Sequence, residues 1–185
     1  MQNNEILEKS DVAGFILKPE ASDIKEIYLE IKRMFENYNI QVLLEISGSQ
    51  QLNISGGIDF DTLCQRSDFL VTLGGDGTLI SVTRRGFQYQ KAVMGINLGT
   101  LGFLTDVMPS ELAIFLENFK KGNYRIDKRM MIKAIIQGKE VVAFNDVVIS
   151  KEIVSGMINL DAKINDKLFN KYHGDGLIIS TPTGS

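Results

Sequence analysis

The chain has 185 residues, of which 44% are hydrophobic and 23% charged, and its formal net charge is −3. This size suits one domain or slightly more, and the composition excludes wholesale disorder, collagen-like repeats and a protein with many membrane spans. So small a net charge gives no general attraction for nucleic acid or an anionic membrane, and we expect neither as a partner.

The first half of the chain is predicted to alternate buried strands with helices. Apolar runs predict strands at 12–17, 40–46, 69–73 and 93–96. Apolar side chains at three- and four-residue steps over 24–38 predict an amphipathic helix, and the Gly-, Ser- and Asn-rich residues 47–60 predict a surface loop. Apolar strands separated by helices are typical of a parallel sheet that is covered on both faces.

The pattern changes in the second half of the chain. Pro109 opens a predicted helix, and Gly122 ends it. Apolar and polar residues then alternate, most clearly over 158–164, as they do in a half-buried strand. Residues 137–139 and 165–167 have sequences that are typical of hairpin turns. This half is therefore predicted to form antiparallel β structure.

These patterns divide the chain into an α/β domain at 1–108, a connecting helix at 109–122 and an antiparallel β domain at 123–185. The last residues, Thr181 to Ser185, form a loop sequence after an apolar strand. A β domain of roughly 60 residues has few strands with which to close a core. We therefore expect the sequence to be a fragment of a longer protein.

A glycine-rich turn with the sequence GGDGT follows the predicted strand at 69–73 and precedes a helix expected from Leu79. Glycines let backbone N–H groups approach a ligand closely, and a helix N-terminus favours phosphate. Asp76 repels a phosphate unless it holds a metal or takes a proton from a hydroxyl. An ordinary Asp-Gly turn remains the alternative. The candidate phosphate-binding residues are Gly74, Gly75, Gly77 and Thr78.

A second glycine loop, NLGTLGFL at 97–104, follows the next predicted strand. Loops at the ends of neighbouring strands face one crevice. Phe103 is a candidate to lie against a base or a nicotinamide ring. The alternative is a core phenylalanine held by a tight turn.

Two polar segments in the second half are further candidates for binding. Asn145 and Asp146 lie against an apolar strand, and an amide can bind an adenine edge while a carboxylate accepts from ribose hydroxyls. Asp175 lies in a second Asp-Gly turn, beside His173. The alternatives are a hairpin turn with solvated polar groups for the first pair and an ordinary surface or core histidine for His173.

The chain has one cysteine, Cys64, and one histidine. It therefore forms no internal disulfide and no Cys/His zinc cluster. The N-terminus lacks the basic stretch and apolar core of a secretory signal, and no apolar run approaches the roughly 20 residues that span a bilayer. We expect a reduced, soluble protein of the cytoplasm.

Taken together, four segments resemble the NAD kinase family: GGDGT at 74–78, NLGTLGFL at 97–104, FNDVVIS at 144–150 and HGDGLIISTPTGS at 173–185. They occur in the family's order and at its approximate spacing. The resemblance implies a Rossmann-like α/β domain with a parallel sheet, then the first part of an antiparallel β-sandwich domain, with a crevice for NAD between them. It implies transfer of the γ-phosphoryl group of ATP to the 2′-hydroxyl of the adenosine ribose of NAD, giving NADP and ADP.

The resemblance also assigns roles to residues by position. Asp76 resembles the family's general base, with Gly77 beside it at the substrate. Asn145 and Asp146 match a pair that binds the adenosine half of NAD. Asp175 matches an Asp near the nicotinamide riboside.

Three features depart from the family pattern. His173 stands where an Arg or a similar polar residue is common, and Gly156 stands where some members carry a side chain that touches the ligand. The family motif continues past TPTGS with a Thr-Ala-Tyr that lies on the adenine, and those residues are absent here. We therefore expect that the chain by itself does not necessarily turn over NAD.

The resemblance further implies Mg²⁺ or another divalent metal with ATP, and a dimer or tetramer built through the sandwich domain. The sequence offers no Walker lysine and no obvious arginine finger, so the metal is expected to neutralise much of the phosphate charge. Two alternatives stay open: a lipid or sugar kinase with a similar GGDGT turn, and a non-catalytic nucleotide-binding module.

Overall fold

The structure is a computed structural model that describes residues 7–21, 24–100, 102–105, 107–152 and 156–185. The chain forms two compact units, Met1–Asp127 and Lys128–Ser185. The first unit contains a parallel sheet with helices, and the second contains antiparallel strand pairs. The predicted fold class, α/β followed by antiparallel β, is confirmed.

The first unit has a four-stranded parallel sheet with the strand order β2-β1-β3-β4. Its strands are β1 (Val12–Leu17), β2 (Gln41–Leu44), β3 (Phe69–Gly74) and β4 (Val93–Asn97). Its helices are α1 (Ile24–Asn37), α2 (Ile46–Leu52), α3 (Phe60–Arg66), α4 (Asp76–Arg85) and α5 (Leu112–Lys120). A short 3₁₀ turn at Pro109–Glu111 leads into α5.

The sheet has an apolar core on each face, because successive side chains of a strand point to opposite sides. Phe15 belongs to the larger core and packs edge-on against Phe35 of α1, with 5.0 Å between ring centroids. The next residue, Ile16, belongs to a separate cluster with Leu63 of α3 and Val82 of α4. Burial on both faces explains why these strands appear in the sequence as unbroken apolar runs.

Helix α2 covers residues 47–52 of the segment that was predicted to be a surface loop, so the prediction is wrong for those residues. Leu52 at its end is buried, and Gly48 lies so close to Leu17 and Leu44 that a Cβ there would be 3.0 to 3.1 Å from their side chains. The Gly and Ser content gives this segment a low intrinsic helix propensity. Packing against the sheet stabilises the helix instead, and the preceding strand ends at Leu44 rather than at residue 46.

The second unit consists of three antiparallel pairs, β5–β6, β7–β10 and β8–β9. The strands are β5 (Ile132–Ile136), β6 (Lys139–Ala143), β7 (Asp146–Ser150), β8 (Ile158–Ile164), β9 (Lys167–Gly174) and β10 (Gly176–Ser180). The predicted hairpin turns are confirmed: Asn165 and Asp166 both have positive φ, 49° and 63°, as a two-residue hairpin loop requires. Strand structure starts at Ile132 rather than near residue 123.

The second unit exposes many large apolar side chains. Several are more than half exposed: Ile135, Ile136, Val148, Ile164, Leu168, Phe169 and Ile178. Two-stranded pairs shield little of their own apolar surface, which accounts for this exposure. None of the helices in the described part of the chain has the length and apolar character needed to cross a bilayer.

Candidate functional site

The two glycine-rich loops begin at the same edge of the parallel sheet. Strands β3 and β4 are neighbours, with Gly74 opposite Asn97 at their carboxyl ends. The N–H of Leu98 donates to the carbonyl of Gly74 at 2.9 Å. This is the edge at which open α/β sheets bind ligands.

The GGDGT turn is the beginning of a helix rather than a loop ahead of one. Helix α4 begins at Asp76, not at Leu79, and Gly75 is its N-cap with an extended backbone (φ −128°, ψ −167°). The helix was predicted to start late because glycine at position 77 has a low helix propensity. The first N–H groups of a helix have no partner within it, and they favour anions. The N–H of Thr78 already donates to the carbonyl of Gly75 at 3.0 Å. The N–H groups of Gly75, Asp76 and Gly77 are therefore those suited to phosphate.

The carboxylate of Asp76 accepts four hydrogen bonds from the end of the second loop. Oδ2 accepts from the N–H of Phe103 at 2.8 Å. Oδ1 accepts from the N–H of Leu104 at 3.1 Å, from the N–H of Thr105 at 3.1 Å and from the hydroxyl of Thr105 at 3.0 Å. Asp76 thus joins the two loops, a contact that the sequence did not predict.

These hydrogen bonds affect the pKa of Asp76. Partial burial raises the pKa of the carboxyl, and the hydrogen bonds from Phe103, Leu104 and Thr105 lower it by more. The pKa of Asp76 therefore lies below its usual value, and the side chain is an ionised carboxylate at neutral pH.

The glycines of the two loops fall into two groups. A Cβ on Gly102 would lie 2.7 Å from the hydroxyl oxygen of Thr105 and would also collide with the Asp76 carboxylate. Gly75, Gly77 and Gly99, in contrast, have nothing within 4 Å of where a Cβ would be. Gly74 belongs with Gly102, because a Cβ there would collide with the Thr78 hydroxyl and lie 3.0 Å from the Cβ of Lys18. The protein's own packing thus requires glycine at 74 and 102 but not at 75, 77 or 99.

Two residues that hold the second loop were not singled out from the sequence. The buried side chain of Asn97 donates to the carbonyl of Thr100 at 2.8 Å and accepts from the N–H of Gly99 at 2.9 Å. Thr105, which is fully buried, follows directly after the motif. An Asn at the end of a strand is a signal for such a turn, whereas Thr105 carries no local signal.

The ring of Phe103 points away from the core of the first unit. It is 78% exposed, while its N–H is fixed by Asp76. The alternative interpretation of a core phenylalanine is therefore wrong. Leu101, in the same loop, lies outside the described residues.

In the second unit, Asn145 and Asp146 adjoin the 181–184 turn. The N–H of Thr181 donates to the carbonyl of Asn145 at 2.7 Å, and the hydroxyl of Thr181 donates to the carbonyl of Phe144 at 2.8 Å. Asp146 lies opposite Ser180 where β7 pairs with β10. The side-chain oxygen of Asn145 is buried without a hydrogen-bond partner among the described residues, as are one oxygen each of Glu45 and Ser67.

Asp175 lies just before β10 and forms an ion pair with Lys151. The Lys151 ammonium is 2.5 Å from Oδ1 of Asp175 and donates to the carbonyl of Gly156 at 3.0 Å. The side chain of Asp175 is largely exposed. His173, in β9, shares a 2.7 Å hydrogen bond between its Nδ1 and Oδ1 of Asn159 on the paired strand. The predicted site residues therefore form two groups, one in each unit.

Within the described ranges, no group of three or more His, Cys, Asp or Glu side chains is placed to hold a metal ion. Asp76, the carboxylate at the glycine turn, already has both oxygens in hydrogen bonds. Among the described residues, no set of side chains therefore forms a metal site on its own.

At the carboxyl edge of the parallel sheet, an ionised aspartate joins a helix N-terminus to a second glycine-rich loop. This arrangement defines an α/β protein of the nucleotide-binding class. Family models identify the particular family. Residues 13–124 match the ATP-NAD kinase N-terminal domain, and residues 144–185 match the ATP-NAD kinase C-terminal domain. The chain belongs to the NAD kinase family, which confirms the resemblance found in the four motifs.

Sequence relatives agree with this assignment. The chain is 44% identical to the NAD kinase of Wolinella succinogenes over 176 residues, covering 93% of this chain and 60% of the relative. It is 40% identical to the NAD kinase of Sulfurimonas denitrificans over 187 residues, covering 99% and 64%. The chain thus spans less than two thirds of the length of these curated relatives.

Solved structures share the fold. A yeast NADH kinase complexed with NADH matches with a TM-score of 0.80 at 20% identity, covering 100% of this chain and 60% of that one. An NAD kinase from Archaeoglobus fulgidus in complex with ATP matches with a TM-score of 0.66 at 21% identity, covering 94% and 62%.

Proposed function

We propose that the protein carrying this chain is an NAD kinase, which transfers the γ-phosphoryl group of ATP to the 2′-hydroxyl of the adenosine ribose of NAD and gives NADP and ADP. The observation that carries the proposal is the Asp76 carboxylate, held ionised between a helix N-terminus and a second glycine loop. The relatives that are 40% to 44% identical are named NAD kinases.

In this proposal Asp76 is the proton acceptor for the ribose hydroxyl. Oδ2 accepts only one hydrogen bond among the described residues, whereas Oδ1 accepts three, so Oδ2 has room for a further donor. Phosphoryl transfer depends mainly on positioning and on stabilising charge. A fixed acceptor orients the hydroxyl and takes its proton as the phosphoryl group arrives.

The phosphates of ATP are proposed to lie at the N-terminus of α4, against Gly74, Gly75, Gly77 and Thr78. The open space at Gly75 and Gly77 supports this role. Mg²⁺ or another divalent cation is proposed to arrive with ATP, because Mg²⁺ usually keeps several waters and binds substrate phosphates.

Five residues of the described chain are proposed to bind NAD: Phe103, Asn145, Asp146, His173 and Asp175. The unpartnered oxygen of Asn145 suits the amino group of adenine, and Asp146 suits ribose hydroxyls. Asp175 is assigned to the nicotinamide riboside, with His173 nearby in sequence. Asp146 and Asp175 adjoin opposite ends of the β7–β10 pair, about 16 Å apart at strand spacing, and this supports an elongated ligand. The exposed ring of Phe103 suits a base or nicotinamide ring.

The remaining parts of the proposal concern organisation. We assign a Rossmann-like α/β domain with the GGDGT turn to 1–108, a connecting helix to 109–122 and the first part of a β-sandwich NAD-binding domain to 123–185. A dimer or tetramer is proposed on the family resemblance. A cytoplasmic location is proposed because the single cysteine of the sequence, Cys64, is a free thiol buried in the first unit.

The proposal is tested by measuring NADP formation from ATP and NAD, with and without Mg²⁺, using an NADP-specific dehydrogenase as the detector. NADH, a diacylglycerol and a hexose serve as alternative acceptors. Formation of NADP that depends on ATP and Mg²⁺ is expected. Phosphorylation of the lipid or the sugar alone would favour the related kinases, and dinucleotide binding without turnover would favour a binding module.

A further prediction concerns Gly77, the helical glycine whose Cβ position is open. Gly77→Ala is expected to stabilise the fold by about 0.5–1 kcal/mol, because alanine is the better helix former. It is also expected to raise the KM for ATP about tenfold or more, because the methyl group occupies the space assigned to phosphate. Thermal melts and steady-state kinetics measure the two effects.

Ser81→Ala, in the middle of the same helix, is the matched control. It changes helix propensity in the same direction and lies outside the proposed phosphate contacts. A normal KM for ATP in Gly77→Ala would remove the role assigned to this glycine.

A further inference from the structure

The side chain of Thr105 is fixed where it meets Asp76. Thr105 is fully buried, and both its N–H and its hydroxyl donate to the same oxygen, Oδ1 of Asp76, at 3.1 and 3.0 Å. Its methyl group fills the space beside Gly95 of β4, where a Cβ would collide with it. Packing of the Thr105 methyl group against Gly95 therefore directs the Thr105 hydroxyl toward Asp76.

The hydrogen bonds divide unequally between the two carboxylate oxygens. Thr105 supplies two of the three donors to Oδ1, and Leu104 supplies the third. Oδ2 receives only the N–H of Phe103 among the described residues. An oxygen with three donors has little capacity for another, so a substrate hydroxyl finds its acceptor at Oδ2.

We propose that Thr105 is a positioning residue for the phosphoryl transfer: its hydroxyl anchors Oδ1 of Asp76 and thereby presents Oδ2 to the ribose hydroxyl. The catalytic part of this inference rests on the proposed function. The anchoring part is a property of the two side chains and can be measured without turnover.

The effect of the Thr105 hydroxyl on the pKa of Asp76 can be measured apart from the effects of charged neighbours. All four donors are neutral, and no charged side chain is among the influences on the pKa of Asp76 that the described residues provide. Strands β3 and β4, which pack against α4, contain no titratable side chain. Among the described residues of the adjoining elements, Lys18 lies beside Gly74, Arg84 and Arg85 lie in the last turn of α4 at the opposite end from Asp76, and Tyr89 lies in the following 3₁₀ turn. Asp106, which follows Thr105, lies outside the described residues.

The test compares Thr105→Val with Thr105→Ser. Valine keeps the shape and removes the hydroxyl, whereas serine keeps the hydroxyl and removes the methyl group. Thr105→Val is expected to lower kcat about tenfold, because the lost hydrogen bond positions Asp76 for the phosphoryl transfer. The KM for NAD is expected to change less than about twofold, because Thr105 is not proposed to contact NAD. Thr105→Ser is expected to retain most of kcat.

Titration of the Asp76 side-chain carboxyl by NMR provides the readout that a purely structural role does not change. Loss of a donor to the ionised form raises the pKa of Asp76 toward its ordinary value in Thr105→Val, and the pKa in Thr105→Ser stays near that of the wild type. If Thr105 only filled space, Thr105→Ser would lower the melting temperature, and Thr105→Val would leave the pKa of Asp76 unchanged.

The outcomes separate the two proposals. An active wild type together with normal kcat and an unchanged Asp76 pKa in Thr105→Val would overturn the role of Thr105. A wild type that makes no NADP would overturn the proposed function, and the NMR titration would then decide alone whether Thr105 anchors the carboxylate.

Discussion

Asp76→Asn is expected to lower kcat by roughly 10²–10⁴-fold, because the substitution removes the proposed proton acceptor. The structure adds a second effect. An asparagine has one acceptor oxygen and an amino group, so it cannot accept all four hydrogen bonds that the carboxylate receives. At least one donor at the end of the second loop loses its partner, and the fold is expected to lose about 1–3 kcal/mol. Steady-state kinetics and a thermal melt of the same sample measure both effects.

Asp59→Asn is the matched control for this experiment. Asp59 caps α3 by accepting from the N–H of Thr62 at 2.9 Å, and asparagine is an equally good cap. It is expected to leave kcat close to the wild-type value. Assays at a raised Mg²⁺ concentration test whether Asp76 instead binds a metal ion. Partial recovery of kcat in Asp76→Asn would indicate that role. Normal kcat in a well-folded Asp76→Asn protein would refute the proposed mechanism.

Gly102→Ala is expected to lower stability and kcat nearly as much as Asp76→Asn does, although it changes no polar group. The added methyl group collides with the Asp76 carboxylate and lies 2.7 Å from the Thr105 hydroxyl oxygen, so the loop has to move away from α4. Forcing a methyl group into such packing costs about 1–3 kcal/mol. Because the displacement also breaks the hydrogen bonds to Asp76, kcat is expected to fall by roughly 10²-fold or more.

Gly99→Ala distinguishes this collision from a general effect of glycine replacement in the loop. Position 99 has open space around it, so the melting temperature is expected to change little. Equal destabilisation by the two substitutions would show that the contact at Gly102 is not the cause. A crystal structure of Gly102→Ala with the hydrogen bonds to Asp76 intact would contradict the explanation directly.

The parts of the fold that the sequence predicted well are those with local causes. Strand β1 occupies residues 12–17 as expected, because a strand that is buried on both faces must be apolar throughout. The β8–β9 hairpin was visible because Asn and Asp tolerate the positive φ that its turn requires. The segment 46–52 was missed as a helix because its stability comes from contacts with β1 and β2 rather than from its own residues.

The candidate site shows the same division. The glycine turn and the loop after β4 were found from their sequences, since glycine next to the end of a strand is a local signal. The hydrogen bonds by which Asp76 joins the two loops were not predicted, because nothing in the sequence near Phe103 or Thr105 indicates that these residues donate to Asp76.

The separation of Asp76 from its donors also bears on how the protein folds. The hydrogen bonds join residues 27 to 29 positions apart, with a helix and a strand between them. Closing so long a segment costs conformational entropy, and the pairing of β4 with β3 offsets part of that cost by holding the second loop beside α4. The anchoring of the aspartate therefore depends on the edge strand of the sheet, and a defect that displaces β4 would leave the glycine turn in place with Asp76 separated from its donors.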